Sequence, residues 1–167
     1  MNLNRLTTGE RLVGAGAVVL VLASFLHWLG GRVSTINLAG RSIPVAHYSF
    51  DRSAWGYAVT GFGVAIAVGV LVYLAVILAV SDDMLRRWPR SAASILVAFC
   101  TLAFALVALK VLIGADVTLS SFGLPSTSGV AVRVSFEKTR QIGAYIGVAA
   151  SGTMFVGAWV NARHAPT

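Results

Sequence analysis

An all-helical integral membrane bundle of four spans, carrying a small extracytoplasmic β-rich cap, is the fold class this sequence predicts. Three observations predict it. The chain has 167 residues, of which 57% are hydrophobic and 11% charged; a soluble domain carries about 25% charged residues. Its mean hydropathy is +0.81, so it lacks the polar surface that water requires. Four apolar runs, at about 12–29, 56–80, 92–113 and 142–160, each reach the ~18 residues at which a segment is read as crossing hydrocarbon.

The whole chain, 1–167, reads as one membrane domain. Its outer loops are 30–55 and 114–139, and its cytoplasmic loop is 81–91. Before the first run, Thr7 followed three residues later by Glu10 has the form of a capping box. The run ends in Trp28, a residue suited to the membrane–water interface, and in the paired Gly30 and Gly31. It is longer than a signal-peptide core and no small-residue cleavage pattern follows, which predicts an uncleaved anchor.

In the first outer loop, 33–37 and 41–45 are partly β-branched and predict a weak hairpin, with Pro44 confining the second strand to an edge. Asp51 or Ser53 then stands where a cap for the second span is needed, and Trp55 where an interface anchor is. The second span has small residues at Gly61, Ala65 and Gly69, a stripe that lets another helix approach closely. The third span closes on Lys110 and Gly114.

The second outer loop holds the clearest alternation in the chain. Val130, Val132, Val134 and Phe136 interleave with Ala131, Arg133, Ser135 and Glu137, the period of a strand. Residues 117–121 are its expected partner, and Thr139 the expected cap of the fourth span. That span carries Gly143, Gly147 and Ser151 four apart.

The two halves resemble each other. Leu29-Gly30-Gly31-Arg32-Val33-Ser34 parallels Ile113-Gly114-Ala115-Asp116-Val117-Thr118, and Ser49-Phe50-Asp51-Arg52-Ser53 parallels Ser135-Phe136-Glu137-Lys138-Thr139. Two tandem helix–loop–helix units follow, related by an axis along the membrane normal. Their loops then lie side by side and can pool strands, since neither hairpin is stable alone.

Lys and Arg counts tie between the two sides. Arg86, Arg87 and Arg90 break the tie by density, placing their loop and both termini in the cytoplasm of a multi-pass plasma-membrane protein. The net charge of +7 is scattered through loops rather than gathered on one soluble face, which argues against a nucleic-acid partner. Membrane lipids are the expected partners of Arg86, Arg87 and Arg90.

Candidate chemistry is sparse. His27 and Lys110 fall near the outer ends of spans one and three, where an ionisable group is a functional candidate; the plainer alternative is a snorkelling lysine and an interfacial histidine. Arg140 opens the fourth span and could pair with Glu137 or Asp51 or bind a ligand between the loops. Arg32 and Asp116 could form a cross-half pair of little energetic value. The three histidines and the single Cys100 are scattered, so no metal or cofactor site is expected, and no catalytic residue is assigned. Cys100 reads as a small buried hydrophobe.

Ser24-Phe25-Leu26-His27-Trp28 and Arg140-Gln141-Ile142-Gly143-Ala144-Tyr145 resemble segments of small uncharacterised four-span membrane proteins of actinobacteria. In those the first span often ends in Ser-Phe-x-Pro-Trp, and here His27 stands at the proline position. The resemblance implies the topology and no activity. The outline is similar to claudin-like proteins in architecture only, since the paired cysteines are missing.

The expected function is non-enzymatic: an accessory, scaffold or envelope protein that engages a protein partner or a second copy through its external loops. The alternative is a lipid- or small-anion-binding or transport module built on His27, Lys110 and Arg140.

Overall fold

The computed structural model describes residues 6–38, 41–44, 49–79, 91–114 and 133–164. The loop holding Arg86, Arg87 and Arg90, and the expected strand at 117–121, lie outside the described residues. Among them run four helices, α1 (Thr8–Ala23), α2 (Ala58–Ala79), α3 (Ser91–Ile113) and α4 (Ile142–His164). Four strands accompany them, β1 (His27–Leu38), β2 (Arg41–Pro44), β3 (Ser49–Ser53) and β4 (Arg133–Arg140).

Three of the helices, α2, α3 and α4, are long and apolar enough to cross a membrane. Each carries bulky apolar residues on its outer surface. α2, for example, buries Gly63, Val64 and Ala67 and exposes Phe62, Val68 and Val72. A helix apolar on every side, with bulky groups outermost, matches hydrocarbon as its solvent.

α1 differs from the expected first span. The run 12–29 predicts a helix through Leu29, but the helix stops at Ala23, after 16 residues, or about 24 Å. The cause lies in competing hydrogen bonds. The Ser24 hydroxyl donates to Val21 O at 2.6 Å, and the Trp28 indole folds back to donate to Ala23 O at 2.6 Å. The Ser24 carbonyl, freed from the helix, accepts from the Ala54 amide at 3.2 Å. From His27 the backbone pairs with β3 and from Leu29 with β4 as well, which gives it new partners in place of helical ones. The Thr7–Glu10 capping box at the start of α1 is present as expected.

β1 is the centre of the sheet. β4 pairs antiparallel along one flank, from Leu29↔Arg140 to Asn37↔Arg133. On the other flank β3 covers the first part of β1 (His27↔Ser53 to Arg32↔Ser49) and β2 the last (Thr35↔Pro44 to Leu38↔Arg41). The expected hairpin is therefore formed, and strands from the stretches 30–55 and 114–139 share one sheet. β3 leads into α2 and β4 into α4, so the two look-alike segments flank the same central strand.

Three local expectations are corrected here. Thr139 is paired with Gly30 inside β4 rather than capping α4, and Arg140 ends the strand rather than opening the helix. Asp51 and Ser53 do not cap α2: a 3-10 turn (Ala54–Gly56) intervenes, and the Thr60 hydroxyl donates to Ala54 O at 2.6 Å instead. The stripe Gly61, Ala65, Gly69 faces away from the bundle, with nothing within 4 Å of a Cβ placed on Gly69.

The close approach falls elsewhere, between antiparallel α1 and α4. A Cβ on Gly9 would lie 2.6 Å from Gly157 O, one on Gly157 2.8 Å from Gly9 O, and one on Gly16 2.7 Å from Ala150 O. Backbone touches backbone, so only glycine fits at these points. The Thr7 and Asn161 side chains meet at 2.8 Å. The first and last described helices thus end together, opposite the sheet.

Candidate functional site

The strongest concentration of polar chemistry lies where α3 ends beneath β4. Any helix leaves its last four carbonyls without intrahelical donors. In α3 these belong to Lys110, Val111, Leu112 and Ile113. Gly114 takes the left-handed conformation, φ +83°, and its amide donates to Lys110 O at 2.9 Å. Arg140 supplies the next two bonds, from Nε to Val111 O at 2.8 Å and from Nη2 to Leu112 O at 2.9 Å. Lys138 Nζ reaches Ile113 O at 3.4 Å. All four carbonyls are therefore satisfied, three of them by cations that also complement the negative end of the helix dipole.

This arrangement explains the spacing of Lys138 and Arg140. Side chains two apart on a strand share a face, and β4 lays that face across the end of α3. The sequence suggests an acidic partner for Arg140, but Asp51 instead accepts a short hydrogen bond from the Gln141 amide. The Gln141 backbone amide in turn donates to Trp28 O at 2.9 Å. The strand-to-helix joint at 140–142 is thereby tied to α3, β1 and β3 together.

Lys110 sits one turn inside the same helix end and is only 5% exposed. Its ammonium lies 4.7 Å from the ring centroid of Tyr57, and the Arg52 guanidinium 6.0 Å from that centroid. Both distances permit cation–π attraction, which is stronger for the desolvated Lys110. The Lys110 ammonium is thus held within the protein beside Tyr57.

His27 does not share the burial of Lys110. It is an exposed residue at the start of β1, opposite Ser53, because α1 ends before it. Of the three candidates, Lys110 and Arg140 converge on the end of α3 and His27 stands on the strand. Lys138, Arg52 and Tyr57 were not singled out by the sequence as parts of this group. The signal was available for Lys138, which alternates with Arg140. It was not available for Tyr57, whose role depends on α2 packing beside α3.

Trp28 anchors the other side of the joint. It is fully buried. A Cβ on Gly143 would lie 2.6 Å from its Cδ1, and one on Gly147 would overlap its six-membered ring. Gly143, Gly147 and Ser151 do form a packing stripe, and the Ser151 hydroxyl donates to Gly147 O at 2.8 Å. Trp55 is 48% exposed and donates to Ser24 Oγ at 3.0 Å.

Cys100 is buried and reduced, as a small hydrophobe. Among the described residues no group of three or more His, Cys, Asp or Glu is placed to hold a metal ion. The side chains of Arg32 and Asp116 lie outside the described residues. Comparison with known proteins adds no relative: no family model, curated protein or solved structure matches this chain.

Proposed function

We propose that this chain is a non-enzymatic, plasma-membrane scaffold whose external sheet is a fixed platform for a protein partner. One observation carries the reading. The sheet is bolted to the helices at both ends of the joint, by Arg140 and Lys138 on the α3 carbonyls and by Trp28 on the α4 glycines. A platform is the natural use of such rigid mounting, whereas a transport path needs elements that move. The interior favours the same reading. The buried hydroxyls of Ser24, Thr60 and Ser151 are each engaged by a backbone carbonyl.

In this reading the chain crosses the bilayer four times. α1 is too short to do so as a helix, but α1 with its following turn is matched to α4 in depth. Gly9 lies at Gly157, Gly16 at Ala150 and Trp28 at Gly143 and Gly147. The turn's backbone groups also find partners, the Leu26 amide donating to Ala23 O and the Ser24 carbonyl accepting from Ala54 N, as backbone inside hydrocarbon must. The common flanking of β1 by β3 and β4 supports the tandem repeat. Arginine density in 81–91 puts both termini in the cytoplasm.

Two experiments test this. Maleimide labelling of Val45→Cys and Arg87→Cys in a Cys100→Ala background, on intact cells, labels the first and spares the second. Crosslinking in mild detergent, with residues 115–132 replaced by a Gly/Ser linker, loses the partner bands seen with the full chain. An unchanged partner list refutes the platform.

A second reading, an anionic lipid or small-anion site, is favoured by the gathering of Lys110, Lys138 and Arg140 at one helix end. His27 has no part in it.

A further inference from the structure

We propose that the end of α3 and the start of α4 form a seat for one anionic phospholipid of the outer leaflet. Lys138 and Arg140 hold the phosphate, and the acyl chains lie on Leu112, Ile113, Ile142 and Tyr145. The proposal rests on the second reading above and commits it to a lipid.

Three observations carry it. The first is charge. A helix C-terminus contributes roughly half a negative charge, and two full cations are placed on this one. The end of α3 is therefore net positive by more than one charge, with Lys110 one turn below. Asp51, the nearby carboxylate among the described side chains, is engaged by Gln141.

The second is donor geometry. Arginine carries five N–H donors, and the Val111 and Leu112 carbonyls take one from Nε and one from Nη2. Those bonds fix the plane of the guanidinium, so its other N–H groups present a rigid fork to a phosphate. Lys138 is exposed, and its 3.4 Å contact to Ile113 O leaves its ammonium free to turn.

The third is the surface beside the cations. Leu112 is 72% exposed and Ile142 69%, with Ile113 and Tyr145 also open. These residues directly adjoin the cations: the Leu112 and Ile113 carbonyls accept from Arg140 and Lys138, and Ile142 follows Arg140 by two. Cations above an apolar ledge match a headgroup above its acyl chains. A soluble anion would use the cations and leave the ledge bare.

The test uses the full chain in vesicles containing a phosphatidylglycerol with a photoreactive diazirine in its acyl chain. Labelled peptides are mapped by mass spectrometry. The expected result is labelling within 112–113 and 142–145, absent with the matching phosphatidylcholine probe. One surface cation is worth about 1 kcal/mol against an anionic lipid, so Lys138→Ala should lower the labelling about fivefold, and Lys138→Arg should restore it. Lys138 is exposed, and its loss leaves the Arg140 bonds that hold the joint.

Equal labelling by the two headgroups, or no change in Lys138→Ala, overturns the proposal. Suppression by millimolar inorganic phosphate overturns the lipid commitment and leaves the anion site standing. No headgroup preference together with no phosphate effect removes both.

Discussion

The six-membered ring of Trp28 rests on the bare Cα of Gly147, where any side chain would overlap it. This contact is the hinge pin of the fold. It lets the chain leave α1 six residues early, start β1 at His27 and still seal the side of α4. Gly147→Ala should therefore cost about 2–3 kcal/mol, the upper range for overpacking a core, because a buried indole cannot rotate away. Gly69→Ala is the contrast: its Cβ meets open space, and the change should be neutral or stabilising by up to about 1 kcal/mol. Thermal unfolding of the two variants in mild detergent decides it; equal losses would disprove the packing asymmetry.

The Trp28 indole N–H has its own role. Trp28→Phe keeps a ring over the glycines but strips the Ala23 carbonyl of its 2.6 Å donor. The Leu26 amide still reaches that carbonyl at 3.0 Å, so the change removes one hydrogen bond, about 0.5–1.5 kcal/mol, and Trp28→Ala, which also empties the seat, costs about 3–5 kcal/mol. Denaturant titration of both should preserve that order.

Arg140 is predicted to be irreplaceable by lysine. Its fork bridges two successive carbonyls, and a lysine is a point donor. Arg140→Lys should lose one charge-assisted bond, about 1.5–3 kcal/mol, and Arg140→Ala both. Backbone amide exchange would show the damage first in the last turn of α3 and at 141–144. Full recovery of stability in Arg140→Lys would mean that the charge alone matters.

Gly9 and Gly157 form one contact seen from both sides. Each single change to alanine should destabilise by about 2–3 kcal/mol. The double variant should cost less than the sum, since the first change already separates the helices. Simple additivity in a double-mutant cycle would place the two glycines in separate contacts.

The sequence by itself determined a membrane chain, the three long apolar helices within a few residues, the capping box at Thr7, the β1–β2 hairpin and the sharing of strands between loops. These follow from composition, run length and period, which are local properties. It also marked Lys110 and Arg140 through charge next to a span. Only the tertiary structure decided where α1 stops, because Trp28 needs a glycine seat 119 positions away, from 28 to 147. Only it decided which glycines pack: spacing of four is present in α2 and α4 alike, and the neighbour across the bundle selects between them. The same holds for Arg140. An arginine beside a strand end can serve a carboxylate, a ligand or a carbonyl with equal chemistry, and the arrival of α3 beneath β4 determines which acceptor it meets.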